Sequence, residues 1–245
     1  ESRSTLHIDF GSNNARMTTD DRPKLKFIIS SQYFIYFGVL GIFLPYFNLY
    51  CYHLDFNGLQ IGMLSALRSL AMVLFPLFWG SLADRFRIRR PIYILCTFLS
   101  TSICFFYLRY TDFWPMLVIT ALYGIFYAPI ISFLEAVTMH ILGREKKSYG
   151  RIRAWGSISF IVVVLVLGKV IDWYSIEIII PLILAGSLLF AAISTRIPAV
   201  TAEKQDLLKR GGRSLLNSRV VLFLLCAFLM LVSHGAYYGF FSIYL

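Results

Sequence analysis

The chain has 245 residues, of which 58% are hydrophobic and only 15% are charged, and its formal net charge is +10. A mean hydropathy of +0.70 excludes a water-soluble domain of this size, because such a domain needs a largely polar composition. Composition therefore predicts a membrane protein, and basic loops at the membrane surface explain the positive charge without nucleic acid as a partner.

Seven apolar runs follow a polar leader at residues 1–16, which is predicted to be non-native or disordered, with Met17 as the natural start. Each run is near the ~20 residues that a helix needs to cross the hydrocarbon. None alternates apolar and polar residues with period two, so the spans are predicted to be helices rather than barrel strands. The predicted spans are residues 27–51, 58–83, 91–108, 113–137, 154–171, 178–195 and 220–245.

Lys and Arg residues are distributed unequally among the connections. The leading tail and the loops after spans two, four and six hold five, four, five and six of them, whereas the other loops hold only Arg109 and Lys169. Short cytoplasmic loops carry such an excess. The N-terminus is therefore predicted to lie in the cytoplasm, and the protein in the plasma or inner membrane.

Spans one and two contain the first candidate site residues. Span one is rich in aromatic residues, and those in its middle, Tyr36 among them, are predicted either to line a cavity or to pack against other helices. Span two places Arg68 ten residues past Gly58, which is about 15 Å into the membrane. A charge at that depth costs ~2.5–3.5 kcal/mol on insertion scales, so Arg68 is predicted to face a cavity or a partner. A structural ion pair or a snorkelling side chain is the alternative.

Span two ends in Gly-Ser-Leu-Ala-Asp-Arg-Phe-Arg-Ile-Arg-Arg, beginning at Gly80. This sequence, between spans two and three, resembles the signature loop of the major facilitator superfamily. The resemblance implies that Gly80, Asp84, Arg85 and Arg89 belong to the cytoplasmic loop that biases such transporters toward their outward-facing state. The second glycine of the family pattern falls at Arg87, where this chain departs from it. Without the family, the cluster is an ordinary basic cytoplasmic loop.

Spans four and five carry opposite charges on either side of a basic loop. Glu135 lies nine residues before Arg144, and Arg153 lies nine residues after it. On two adjacent antiparallel helices they would lie at equal depth, about 13 Å from the turn. The Gly-Arg-Ile-Arg-Ala-Trp-Gly-Ser sequence around Arg153 resembles the phenylpropionate-transporter-like and lactose-permease-like branches of the superfamily. That resemblance implies that Glu135 and Arg153 bind the solute, with Phe160 in place of a sugar-stacking Trp. Phe160 and Tyr36 are then predicted to be apolar walls of the solute site, and a solute carboxylate would be held by Arg153 or Arg68. A structural ion pair between Glu135 and Arg153 is the alternative.

The end of the chain predicts the start of a second bundle. Residues 196–219 are basic and polar and suit a long central cytoplasmic loop, and span seven repeats the pattern of span one at an offset of 201, with four of nine residues identical. Residues 17–195 are therefore predicted to form an N-terminal six-helix bundle, and residues 220–245 the truncated first helix of a C-terminal bundle. His234 would lie near the middle of span seven, where it either packs or serves a cavity or proton role.

These observations predict an all-α polytopic membrane protein: a six-helix bundle of the major facilitator fold plus a seventh, truncated helix. The resemblance implies alternating access and proton-coupled symport of a small organic solute (an aromatic acid, a sugar or a nucleoside) by a monomer completed by its C-terminal half. Its partners would be the solute, protons and the lipid bilayer. No cofactor or metal is predicted. An exporter of drugs is the main alternative; a non-transporting scaffold or an intramembrane enzyme is disfavoured, since no paired nucleophile and base and no metal cluster shares one depth.

Overall fold

The structure is a computed structural model that describes residues 21–143, 145–198, 221–223, 225, 226, 228–230 and 233. Across this part of the chain it is helical and contains no strand. The long helices are α1 (Asp21–His53), α2 (Gly58–Phe86), α3 (Arg89–Cys104), α4 (Phe113–Leu142), α5 (Tyr149–Trp173) and α6 (Ile179–Ser194). Short 3-10 turns occur at Phe105–Leu108, Lys146–Ser148 and Ile176–Ile178.

The first six predicted spans are all confirmed as helices, and each is long and apolar enough to cross a membrane. Several helices extend beyond the apolar runs, because their polar ends continue the backbone hydrogen bonding past the hydrocarbon. The described residues between 221 and 230 are also helical, at the start of the seventh predicted span. The leader 1–16, most of the loop 196–219, His234 and the repeated segment of span seven lie outside the described residues.

Neighbouring helices in the bundle are mostly not neighbours along the chain. α1 packs along α5 and α6, α4 packs along α2 and α3, and α3 contacts α6. Exchanging α1, α2 and α3 for α4, α5 and α6 converts the α1–α5 pair into α4–α2 and the α1–α6 pair into α4–α3, and leaves the α3–α6 pair unchanged. Since α1 and α4 run in opposite directions, the two three-helix units are related as an inverted repeat. α4 and α5 share only a small contact, because α4 is flanked mainly by α2 and α3, and α5 by α1.

Glycines allow close approach of the helices in the two most extensive helix–helix contacts. A Cβ atom added to Gly156 of α5 would lie 2.5 Å from the Phe37 ring of α1, and one added to Gly124 of α4 would lie 2.7 Å from the Ala71 Cβ of α2. In a membrane, helices associate through close van der Waals packing, which small residues permit. These positions therefore set how closely α5 approaches α1 and how closely α4 approaches α2.

Polar side chains join the helices inside the bundle. The Tyr93 hydroxyl of α3 donates a 2.9 Å hydrogen bond to the Gln32 Oε1 of α1. The hydroxyls of Thr97 and Ser194 lie 3.1 Å apart between α3 and α6. Hydrocarbon offers no water to satisfy such groups, so these bonds stabilise the helix pairs that make them.

Two contacts tie together the helix ends near the basic connections. Lys26 Nζ lies 2.5 Å from Glu145 Oε2, which joins the start of α1 to the turn before α5. Arg90 Nη2 donates a 3.0 Å hydrogen bond to the Thr195 carbonyl, which joins the start of α3 to the end of α6. With successive helices alternating in direction, the basic connections lie at one end of the bundle.

Candidate functional site

The structure brings Glu135 and Arg153 together. Nη1 of Arg153 lies 3.2 Å from Oε1 of Glu135. Glu135 is seven residues before the end of α4 and Arg153 is four residues after the start of α5, which corresponds to depths of about 10 and 6 Å. The pair is shallower than the 13 Å predicted, because that count included residues 143–148, which lie outside the two α-helices.

The surroundings of Arg153 leave part of its hydrogen-bonding capacity unused. Its guanidinium carbon lies 4.9 Å from the ring centroid of Phe37 and 5.9 Å from that of Tyr33. Its Nη1 is buried. This atom is close enough to Glu135 for an ion pair, but no described residue accepts a hydrogen bond from it. The two charged side chains are 38% and 41% exposed. The pair can therefore offer both a donor and an acceptor to a ligand without first breaking a hydrogen bond.

Tyr36 belongs to a column of stacked rings between α1 and α4. Its ring lies 5.3 Å from that of Tyr127 at an interplanar angle of 9°. Tyr127 stacks on Tyr123 at 4.9 Å, and Tyr123 stacks on Phe43 at 5.4 Å. Offset stacking of this kind adds to the stability gained by burying the rings. Sequence reasoning missed Tyr123 and Tyr127, although their spacing of four residues places them on one face of a helix.

A small cavity lies beside this column, with Tyr36, Tyr127, Ser100, Thr101 and Phe190 among its lining residues. It has room for about one water molecule and none for an organic solute. Tyr36 is only 3% exposed. Its role as a wall of a solute site stays a prediction.

Arg68 approaches the same column from α2. Its guanidinium carbon lies 5.1 Å from the ring centroid of Phe43. Arg68, Phe43 and Tyr123 are each ten residues from the ends of their helices at the α1–α2 and α3–α4 loops, so they share a depth of about 15 Å. Within the described part of the chain, Arg68 makes no ion pair and no hydrogen bond. It does not reach Glu135.

Phe160 lies on α5 within the contact to α1. A Cβ atom added to Gly41 would lie 3.2 Å from the Phe160 carbonyl oxygen and 3.4 Å from its ring. One edge of the ring is therefore used for helix packing, and the side chain is half-buried. Whether the remaining surface contacts a solute stays a prediction.

The loop between α2 and α3 contains an ion pair. Arg89 Nε donates a 2.7 Å hydrogen bond to Asp84 Oδ1, and the guanidinium of Arg85 lies 5.8 Å from the Phe86 ring centroid. Gly80 lies inside α2 with nothing within 4 Å of an added Cβ. Asp84 and Arg89 thus connect the end of one helix to the start of the next across the turn.

Arg87 ends α2 in the left-handed conformation, with φ 56° and ψ 33°. Its backbone N–H and that of Ile88 both bond the Ala83 carbonyl, which closes the helix end. Glycine is the residue that usually occupies such a position. The position where the family pattern has its second glycine is therefore the position where the backbone requires a positive φ.

The family model called the MFS_1 like family matches residues 27–245. An uncharacterized transporter of Bacillus subtilis, YwbF, is 25% identical over 191 residues, which cover 77% of this chain and 48% of that protein. A probable 3-phenylpropionic acid transporter of Escherichia coli is 27% identical, with 86% and 57% covered. Maltose permease of Geobacillus stearothermophilus is 26% identical, with 84% and 54% covered. The chain spans about half the length of these curated relatives, all of which are transporters and not enzymes.

A solved structure shows the same fold. The crystal structure of the nucleoside transporter NupG, as a D323A mutant, superimposes with a TM-score of 0.75 at 19% identity. The superposition covers 88% of this chain and 57% of that chain. At this identity the likeness concerns the arrangement of helices and not the ligand.

Proposed function

Because the chain belongs to the MFS_1 like family of major facilitator transporters, we propose that it supplies the solute-binding N-terminal half of a proton-coupled symporter. The bundle 17–195, the central loop 196–219 and the helix begun at 220–245 would then be the first parts of a two-bundle transporter that works as a monomer by alternating access. Its solute is a small organic molecule of the kinds named for its relatives: an aromatic acid, a sugar or a nucleoside.

The pair of Glu135 and Arg153 is the observation that carries this proposal. A buried or half-buried ion pair contributes little net stability, because desolvation offsets its attraction. Intramembrane charges of this kind usually face a substrate or ion path. The Arg153 side chain is 38% exposed, and its Nη1 makes an ion pair but no hydrogen bond in the described residues, so the guanidinium can bind a solute oxygen while Glu135 accepts from a solute hydroxyl. Tyr36 and Phe160 are proposed as the apolar walls.

The remaining predicted residues are assigned to coupling and gating. Among the described carboxylates of the spans, Glu135 lies furthest from a helix end, and we propose that it binds a proton as well as the solute. The loop of Gly80, Asp84, Arg85 and Arg89 is proposed to close the cytoplasmic face, and His234 to serve a cavity or proton role on the seventh span. We propose that the membrane is the plasma or inner membrane and that the end of the bundle with the basic loops faces the cytoplasm.

Uptake by the full-length gene product tests the function. Cells that express it should accumulate one of three labelled solutes, 3-phenylpropionate, maltose or uridine, and a protonophore should abolish the accumulation. Glu135→Gln should lower uptake by about tenfold or more, because a neutral amide loses a charge-assisted bond, while the amount of protein in the membrane is unchanged. Glu177→Gln, an exposed carboxylate at the far end of α5 and α6, is the matched control and should behave as wild type.

Three results would contradict the proposal in different ways. Accumulation that survives the protonophore removes proton coupling. Wild-type uptake in Glu135→Gln removes the Glu135 and Arg153 site. Active efflux of the labelled solute assigns the protein to the exporters instead.

A further inference from the structure

We propose that Arg68, Tyr123 and Tyr127 form a subsite for the carboxylate group of the solute, separate from the Glu135 and Arg153 pair. This inference rests on the proposed transport function and narrows its solutes to organic acids. It follows from three observations: a charge without a counter-charge, hydroxyls without acceptors, and the distance between the two charged positions.

Arg68 is a cation inside the bundle without a described anion. The described ion pairs, Lys26–Glu145, Asp84–Arg89 and Glu135–Arg153, all lie toward the other end of the helices. The contact of Arg68 with the Phe43 ring orients its guanidinium but leaves its N–H donors unused. A guanidinium presents paired donors that match a carboxylate bidentately. A solute carboxylate would therefore neutralise a charge that the helices leave uncompensated.

Tyr123 and Tyr127 supply further donors next to this cation. Tyr123 stacks on the Phe43 ring that Arg68 also contacts, and Tyr127 stacks on Tyr123 in turn. The Tyr123 hydroxyl is buried and has no hydrogen-bond partner in the described part of the chain. The Tyr127 ring stacks on that of Tyr36, and the Tyr127 hydroxyl is buried with no hydrogen-bond partner in the described residues. A carboxylate has acceptor sites for a bidentate arginine and for phenols in addition.

Aromatic rings make this position selective. The rings of Phe43 and Tyr123 stack at an interplanar angle of 13°, and both residues are buried, which makes the base of the subsite apolar. In such surroundings a charge-assisted hydrogen bond is stronger than in water, and an unmade one is more costly. A site built around a polar group of the ligand strongly rejects analogues that lack it. Neutral sugars and nucleosides are therefore disfavoured here.

The subsite and the Glu135–Arg153 pair are two positions along the helices. Arg68 is 18 residues from the inner end of α2, and Glu135 is seven residues from the inner end of α4. Their depths differ by about 16 Å, which is longer than a phenylpropionate-sized acid. Such a solute engages one position at a time, with Arg68 holding its carboxylate nearer the α1–α2 loop.

Acid and amide pairs test this subsite on the purified full-length protein. The probes are benzoate against benzamide and 3-phenylpropionate against 3-phenylpropanamide, measured by calorimetry with chloride-free buffer. Wild type should bind at least one acid about tenfold or more tightly than its amide. Arg68→Gln should remove that preference, Arg68→Lys should keep part of it, and Tyr123→Phe should weaken acid binding alone. Arg109→Gln and Tyr110→Phe, in the exposed α3–α4 loop, are the matched controls.

Two outcomes would contradict the proposed subsite. These outcomes are equal binding of acids and amides by wild type, or unchanged acid binding in Arg68→Gln and Tyr123→Phe. If Arg68→Gln does not fold, the acid binding of Arg68→Lys and of the isosteric Tyr123→Phe tests the subsite instead. Competition by chloride without any acid preference assigns the position to an inorganic anion. In parallel uptake assays, accumulation of maltose or uridine that Arg68→Gln leaves unchanged removes the subsite but keeps the transporter, whereas no accumulation of any solute removes the transport function.

Discussion

The charge of Arg87 is favourable at its position in the loop, but its backbone conformation is not. Its cation lies at the C-terminal end of α2, where the helix dipole favours positive charge. Its φ of 56° is unfavourable for any residue with a Cβ, at a cost of about 1–2 kcal/mol. The surrounding cap, in which Ala83 accepts two backbone N–H groups, holds the residue there.

Arg87→Gly should therefore stabilise the protein, by about 1 kcal/mol, since glycine adopts this conformation without strain. Thermal unfolding of the purified full-length protein, followed by intrinsic fluorescence, measures the change. Arg85→Gly is the control, because it removes the same charge from a helical position and should destabilise by about 1 kcal/mol. A fall in the melting temperature of both variants would show that charge, not conformation, dominates at Arg87.

At the residue scale, the sequence predicts charges better than it predicts their partners. Counting from the turn predicts that Glu135 meets Arg153, because a short connection fixes both positions. The same counting predicts the depth of Arg68 but not its neighbours, which come from α1 and α4. Tyr36 was predicted as a candidate wall from its place in an aromatic span, and its burial in a stack depends on Tyr127, which is 91 residues away in the sequence.

At the scale of helices, two glycines distinguish the effect of close helix packing on stability from the effect of helix propensity. Gly124 of α4 and Gly62 of α2 both lie inside long helices, but only Gly124 has a neighbour within reach of an added Cβ, the Ala71 Cβ at 2.7 Å. Helix propensity favours alanine over glycine by about 1 kcal/mol at either position. Close packing opposes it at Gly124 alone.

Gly124→Ala should destabilise the bundle by about 1–3 kcal/mol, because α2 and α4 must move apart or strain. Ala71→Gly in the same chain should restore most of the loss, since it removes the atom that clashes. Gly62→Ala should leave stability unchanged or raise it. Chemical denaturation of the four proteins completes a double-mutant cycle, and the absence of coupling between the two positions would contradict the close contact.

Helix existence was predictable, and helix partners were not. Six apolar runs of membrane length suffice to predict α1 to α6, because a segment in hydrocarbon must satisfy its own backbone hydrogen bonds. These helices are apolar on most sides, so periodicity does not say which face packs against another helix and which contacts lipid. The pairing of α1 with α5 depends on complementary shapes such as Gly156 against Phe37, which no local pattern contains.

At the scale of the whole molecule, the basic connections distinguish one end of the bundle from the other. The contacts Lys26–Glu145 and Arg90–Thr195 both lie at the end with the basic loops. Anionic lipid and the rules of insertion favour such loops on the cytoplasmic side. We therefore expect the α1–α2 loop to face the outside.

Single cysteines test this orientation in intact cells. In a background without the native cysteines, Asp55→Cys should react with a membrane-impermeant maleimide, because Asp55 is exposed in the α1–α2 loop. Lys147→Cys, exposed beside α5, should react only after the cells are permeabilised. Labelling of Lys147→Cys in intact cells would reverse the orientation.

The pairing of α1 with α5 and α6 also fixes an order of events during synthesis. α1 is complete at His53, but α5 is complete only at Trp173. At about 5–20 residues per second, the first helix is made on the order of 10 s before its main partner. During that interval the face of α1 that will pack against α5 contacts lipid or the insertion machinery. The ribosome thus delivers the helices in one order, and the bundle assembles them in another.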